Sequence, residues 1–213
     1  VPTVGASCVN AAQLAIEEIN ASGGLSVNGH QYDFDLRIKD NEDNADKAVE
    51  ITKEFIQSRL LSSIRIIAMV GPNASRNAIP AATAAEEGQY LMISPWATHV
   101  DVTKNKAWVF RTAYTDYFQG TVMANFAWKN LGIQKSAVLF DENETHNKEI
   151  ASYFKTDFEN LGGMITAFET YPSGSPDFSN QFATIVSSGA ELIFLPNYFT
   201  EVPLQAEQAR AAG

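Results

Sequence analysis

Tyr90-Leu-Met-Ile-Ser-Pro-Trp-Ala-Thr98 is the stretch on which the reading of the fold turns. Residues 90–93 are a short apolar run, the pattern of a strand covered on both faces in a parallel sheet. Pro95 has no N–H to give a strand ladder, so the strand is expected to end at Ser94. Residues 94–98 then form a loop at the carboxyl end of that strand, the edge at which open α/β sheets bind ligands. The loop offers two hydroxyls, Ser94 and Thr98, free backbone N–H groups and one large ring, Trp96. These are the few polar groups and the aromatic wall of a small-molecule pocket. An ordinary strand-to-helix connection would use the same residues, so the surrounding chain has to decide.

Upstream, residues 64–70 read as another buried strand closing in Gly71-Pro-Asn-Ala-Ser75, and residues 77–87 as a helix closed by Gly88. Residues 1–8 read as loop. Residues 10–20 read as an amphipathic helix with Ala11, Leu14, Ala15 and Ile19 inward and Gly23-Gly24 at its end. Residues 32–39 alternate with period two, as an edge strand does, and residues 45–60 form a helix with Ala48, Ile51, Phe55 and Ile56 inward. Downstream, residues 109–112 are a strand. A second series follows Asp116: helix 118–131, strand 137–140, helix 148–161 stopped by Gly162-Gly163, strand 164–171, helix 177–187, strand 192–195 and helix 201–212. Strands alternating with helices of this length mean βαβ units, parallel sheets and right-handed crossovers. The fold class is α/β. The restart of the rhythm predicts a lobe boundary between Ala113 and Gln119, dividing the chain into residues 1–115 and 116–213.

The chain has 213 residues, 45% of them apolar, and a formal net charge of −10. The apolar fraction suffices for a core and argues against disorder. The negative charge argues against nucleic acid and against insertion at an anionic membrane surface. No apolar run approaches the ~18–20 residues of a membrane-spanning helix. With no apolar leader at its start, the sequence is expected to begin in mature or trimmed protein. Cys8, the single cysteine, excludes an internal disulfide and reads as a small buried thiol.

Signatures of catalysis are missing. The sequence holds no nucleophile elbow, Walker loop, dinucleotide fingerprint or His-Glu-x-x-His helix, which argues against an enzyme and against a cofactor. His30, His99 and His146 show no metal spacing, and Asp141, Glu142 and Glu144 read as a solvated acidic loop. Asn73-Ala-Ser75 and Asn143-Glu-Thr145 fit the glycosylation pattern, a match short enough to be frequent by chance.

Taken together, the ordered series resembles the type I periplasmic binding proteins, in their leucine/isoleucine/valine-binding branch. The resemblance is carried by Leu14-Ala-Ile-Glu-Glu-Ile-Asn20 with Gly23-Gly24, by Asp40, Ala45 and Ala48, and by residues 71–75. It continues through Met92-Ile-Ser-Pro95 with Ala97-Thr98, and through Phe110-Arg-Thr112 with Asp116 and Gln119-Gly120. It resumes at Asp177-Phe178 and in residues 198–213, including Gln208-Ala-Arg210. It implies two Rossmann-like lobes that close on a ligand like a flytrap, with the first strand and the C-terminal part of the fold lying outside these 213 residues. It implies an extracytoplasmic receptor, periplasmic or extracellular, that carries an amino acid or small carboxylate to the membrane permease of an ABC transporter. A lipid anchor on the complete protein would fit that role. The alternative on the same fold is the ligand-sensing module of a signalling or regulatory protein.

Residue by residue, the resemblance assigns Ser75 and Thr98 to the α-carboxylate or ammonium, with Trp96 and Ala97 adding backbone groups. For Ser75, an N-cap of the following helix is an equally good and compatible reading. Thr145 and His146 stand where the family places a lobe-two aromatic. Tyr198-Phe199 matches an aromatic pair of which one member should face the cleft. Trp96 replaces the usual small residue. It either narrows the cleft and gives a ligand a face to stack on, or turns outward beside Pro95. These departures put branched-chain specificity in doubt while leaving a binding role intact.

Overall fold

The computed structural model describes residues 2–61 and 66–213. It holds two three-stranded parallel sheets, each packed with helices, and one small hairpin.

The first helix, α1, spans Pro2–Ala21, so the loop expected over residues 1–8 is corrected. Pro2 suits a first helical turn, where its missing N–H has no partner to lose, and no breaker follows. Cys8, expected to be buried, is free and half-buried. Leu14 and Ile19, expected inward, are exposed. Their spacing forms the helix, but among the described residues no surface covers that face. The helix is tied down at its end instead. Asn20 Nδ2 donates to Phe34 O and Asn20 Oδ1 accepts from Phe34 N, both at 2.9 Å.

Strands β1 (Leu25–Val27) and β2 (His30–Tyr32) pair antiparallel across Asn28-Gly29. Both turn residues have positive φ, 51° and 81°, the backbone of the tight hairpin turn that Asn-Gly favours. The strand expected over 32–39 is therefore corrected: Tyr32 closes the hairpin, and residues 33–40 are irregular. Period-two alternation is present, but a strand also needs a ladder partner, and among the described residues none pairs with this segment.

The first parallel sheet has the order β3-β4-β5, with β3 at Ala68–Val70, β4 at Leu91–Ser94 and β5 at Val109–Arg111. Residues 64 and 65 of the expected first strand lie outside the described residues. Helices α2 (Ala45–Leu61) and α3 (Ser75–Glu87) cover the sheet. Phe55, Met69, Tyr90, Met92, Val109 and a run of α3 alanines form its core. Small side chains on α3 let the helix sit close to the strands.

The second parallel sheet has the order β7-β6-β8: β6 at Lys135–Asp141, β7 at Met164–Tyr171 and β8 at Leu192–Phe194. β6 is central and buried on both faces, with a separate apolar cluster on each side. One side holds α4 (Asp116–Asn125), which continues as a π turn over Phe126–Asn130, and α5 (Thr145–Asn160). The other holds α6 (Ser179–Ser187) and α7 (Val202–Ala212). Phe154, stacked on Phe194 at 4.2 Å and Phe158 at 5.5 Å, fills the first cluster. Where α4 crosses α5, Gly120 lets the backbones meet. A β-carbon there would lie 2.6 Å from Tyr153 Cβ and 2.8 Å from Phe154 N. Phe118 and Val122 on α4 and Phe126 in the π turn recur at four-residue spacing and are all exposed, a short apolar stripe.

Candidate functional site

Three loops at strand carboxyl ends meet the start of α5. The first leaves β3 at Gly71, whose φ of +114° is a backbone conformation suited to glycine; its N–H donates to Ile93 O at 2.9 Å. The loop delivers the N-terminus of α3, whose N–H groups ahead of Asn77 have no preceding turn to bond and carry the positive end of the helix dipole. Asn77 N is the first to donate back, to Ala74 O at 3.0 Å. Ser75 lies within that first turn. The N-cap is Ala74, which makes no side-chain cap, so the capping alternative for Ser75 is corrected. Its buried hydroxyl instead accepts from His99 N at 3.4 Å.

The second loop follows β4. Ser94 is fully buried; its hydroxyl donates to Pro72 O at 2.9 Å and accepts from Ala97 N at 3.3 Å. It therefore joins the two loops and is not free for a ligand. Arg111 Nη1 donates to Thr98 O at 3.2 Å and to His99 O at 2.7 Å, and Asp116 N donates to Thr98 O at 3.0 Å. Burial lowers the Arg111 pKa, against the opposing pull of Asp116. With its carbonyl so engaged, Thr98 presents its hydroxyl outward.

That hydroxyl meets the second sheet's helices. Thr98 Oγ1 is 2.9 Å from His146 Nδ1, and the same nitrogen is 2.8 Å from Asp116 Oδ1. A carboxylate can only accept, so Nδ1 carries the proton that Asp116 and Thr98 share. The other oxygen, Asp116 Oδ2, is buried without a partner among the described residues. Tyr198, from the loop after β8, stacks on the His146 ring at 5.6 Å and 12° and faces Trp96 at 6.2 Å and 34°. Burial pushes the Tyr198 hydroxyl well above its ordinary pKa, with the charges of Glu144 and Asp116 adding to the effect. It stays a neutral donor.

Between these groups lies a cavity of about 140 Å³. Asn73, Ala74, Ser75, Trp96, Ala97 and Thr98 wall it from the first sheet, and His146 and Tyr198 from the second. Ala113, Tyr114 and Gln119 line it where the chain crosses. Six of the residues singled out in the sequence are thus brought together. Thr145 begins α5 and is not part of the lining, and Phe199 is 63% exposed and also outside it. Sequence reasoning passed over Asn73, Tyr114 and Gln119. Asn73 and Tyr114 follow strand ends, so the strand-end rule applied to every loop would have found them. Asn73 Oδ1 is buried and unpartnered among the described residues.

Beside the cavity, Arg76 Nη1 donates to both oxygens of Glu144 at 2.5 Å, and Nη2 pairs with Asp43. Asn77 Nδ2 donates to Asp43 Oδ1 at 2.7 Å. Burial works against the Asp43 carboxylate, but Asn77 and Arg76 outweigh it and hold its pKa below the usual value. Burial likewise opposes the Arg76 charge, and Asp43 and Glu144 raise its pKa nonetheless. A fully solvated acidic loop at 141–144 is therefore corrected: Asp141 is buried and accepts from Asn143 N at 2.8 Å, and Glu144 is paired. Among the described residues, no group of three or more His, Cys, Asp or Glu is placed to hold a metal ion, and no helix is long and apolar enough to cross a membrane.

Residues 1–213 match the family model for periplasmic binding proteins. The leucine-, isoleucine-, valine-, threonine- and alanine-binding protein of Pseudomonas aeruginosa is 29% identical over 203 residues, covering 95% of this chain and 52% of the relative. The branched-chain amino acid transporter substrate-binding protein LivJ of Streptococcus pneumoniae, solved in complex with isoleucine, superposes with a TM-score of 0.80 at 30% identity, over 95% of this chain and 55% of that one. The leucine-binding protein LivK of Thermotoga maritima superposes at 0.70 and 30% identity, over 81% and 47%. The chain spans about half the length of the curated relatives it matches. Those relatives are binding proteins, not enzymes.

Proposed function

Because this chain belongs to the periplasmic binding protein family, we propose that it holds a small carboxylate solute, an amino acid or a close chemical relative, in the cleft between two lobes. In this reading it is the receptor that delivers the solute to the membrane permease of an ABC transporter, outside the cytoplasmic membrane. One observation carries the reading: Ser75 and Thr98 from the first sheet and His146 and Tyr198 from the second wall the same cavity. A solute seated there touches both halves at once.

The chemistry follows from the donors. The first-turn N–H groups of α3 and the Ser75 hydroxyl suit a carboxylate, as helix N-termini suit anions generally. The Thr98 hydroxyl, which accepts from His146, keeps its own proton to donate to the carboxylate, and Asn73 Oδ1 offers an acceptor to an ammonium. The lobes divide between Ala113 and Gln119 and close by a hinge there, and the pairing of Arg76 with Glu144 belongs to the closed arrangement. Thr98 and Tyr198 complete the enclosure.

A thermal-shift screen of the purified protein against amino acids and small carboxylates tests this. A ligand that binds only the folded state stabilises it by about 2.7 kcal/mol at a hundred times its dissociation constant. A clear rise in Tm with at least one member is expected, and none across the panel would overturn the reading.

A further inference from the structure

We propose that the solute taken by this cavity is a carboxylate bearing a flat, unsaturated ring, and that Trp96 and Tyr198 select it over branched aliphatic carboxylates. This rests on the solute-binding reading above and narrows it. Four side chains around the cavity present planar rings: Trp96, Tyr114, His146 and Tyr198. Two of them are built as a firm wall. Tyr198 is stacked on His146, and His146 is fixed by Asp116 and Thr98 through one nitrogen. Trp96 faces that wall and is 39% exposed, so it is the side that can give way.

The spacing favours a flat guest. The Trp96 and Tyr198 centroids are 6.2 Å apart. A plane stacked on both faces needs roughly 7 Å, since stacked carbons rest at about 3.5 Å. Parting the rings by about an ångström and turning Trp96 out of its 34° tilt toward parallel therefore admits a planar group. A branched aliphatic side chain is thicker and would push the rings further apart while leaving their faces unevenly covered. Size bounds the guest without choosing between a ring and a branched chain. A cavity of about 140 Å³ has room for only about five water molecules' worth of liquid volume, at ~30 Å³ each. A single ring with its carboxylate suits that volume better than a longer extended molecule.

Charge adds a second reason. Among the described residues that line the cavity none is Asp, Glu, Lys or Arg, and the one histidine, His146, is already engaged by Asp116. A carboxylate finds the N-terminus of α3 and the Ser75 hydroxyl, whereas an ammonium would find neutral acceptors, with Asn73 Oδ1 the unpartnered one. Each stacking contact should multiply affinity by roughly two- to tenfold, so two give about fourfold to a hundredfold, and contacts of middling strength give about tenfold or more.

Titration calorimetry with benzoate, cyclohexanecarboxylate and isoleucine tests the proposal. The first two have the same carbon count and differ in flatness. Benzoate is expected to bind at least about tenfold more tightly than either of the others. Trp96→Leu should bring benzoate and cyclohexanecarboxylate within about threefold of each other, and Trp96→Phe, which keeps a flat face, should restore most of the difference. Isoleucine or cyclohexanecarboxylate binding as tightly as benzoate would overturn the ring selectivity while leaving the solute-binding reading standing. An unchanged ratio in a Trp96→Leu protein of normal Tm would remove Trp96 from it. No binding of any of the three would overturn the ring-carboxylate proposal, while the solute-binding reading stands or falls by the thermal-shift panel.

Discussion

Thr98 Oγ1 lies 2.9 Å from His146 Nδ1 although 48 residues of chain separate them, and the two side chains belong to different sheets. Thr98 is presented by a loop after β4, and His146 by the first turn of α5. The hydroxyl therefore both borders the cavity and ties one half of the protein to the other. Thr98→Ala removes it from both tasks. Losing a hydrogen bond to a charged group weakens binding by roughly 1.5–3 kcal/mol, or about tenfold to a hundredfold in Kd. Calorimetry with the tightest-binding carboxylate checks this, and an unchanged Kd would count decisively against the role of Thr98.

His146 and Asp116 form the firmer half of the same bridge, with Asp116 Oδ1 at 2.8 Å and its side chain 1% exposed. Removing the ring leaves a buried carboxylate without that donor. His146→Ala is expected to destabilise the fold by about 1.5–3 kcal/mol. Asp116→Asn alone should cost less, because an amide is easier to bury than a charge. The double variant should be less destabilised than the sum of the two, with a coupling above about 0.5 kcal/mol in urea denaturation. Strict additivity would mean the contact contributes nothing.

Arg76, 35% exposed, joins Asp43 at 44% exposure and Glu144 at 19%. Pairs of this exposure stabilise by about 1 kcal/mol or less. Arg76→Ala should therefore raise the Kd of a bound carboxylate by no more than about fivefold. The wild-type advantage should shrink between 0.1 M and 1 M salt, as screening tightens from ~10 Å to ~3 Å. The Asp43 pKa is lowered below its ordinary 3.8. Its contribution is accordingly full above that value and is lost as pH falls through the lower, folded-state pKa. Asp43→Asn should flatten the acid limb of a stability profile below about pH 4 and leave neutral pH little changed.

Gly120 allows the approach of α4 to α5, and its β-carbon would meet Phe154 N, a backbone atom, at 2.8 Å. Alanine improves helix propensity by ~1 kcal/mol, but overpacking of 1–3 kcal/mol or more works against it. Gly120→Ala should be net destabilised by about 1–2 kcal/mol, read from the urea midpoint at constant slope. A more stable variant would show that the helices part freely.

Much of this architecture is legible in the sequence because periodicity answers to burial. The runs that became β4 and β6 are apolar on both faces, and the alanine-rich face of α3 is where the core lies. The reading fails where a pattern needs a partner that local sequence does not supply. Residues 32–39 alternate yet have no ladder, and Leu14 and Ile19 form an apolar face that no described surface covers. Asn28-Gly29 was a clear hairpin signal that the longer alternation hid. In the site, Ser75, Trp96 and Thr98 follow strand ends and could be found one loop at a time. Arg76, Glu144 and the pairing of Asp116 with His146 could not, since each joins segments 30 or more residues apart. Charge complementarity at that range has no local signature.

Molecules carrying a net charge of −10, from 25 acidic and 15 basic side chains, repel one another at neutral pH and stay dispersed. The stripe of Phe118, Val122 and Phe126 along α4 and the turn that follows it is harmless under that repulsion. As acid titrates the carboxylates toward their ordinary range near pH 4, the repulsion fades while the stripe remains bare. Colloidal stability should then fail before the fold does, with turbidity appearing in weak acid at low ionic strength and clearing when the pH is restored. Replacing Phe118 and Val122 by lysine or glutamate would move that cloud point without touching either sheet.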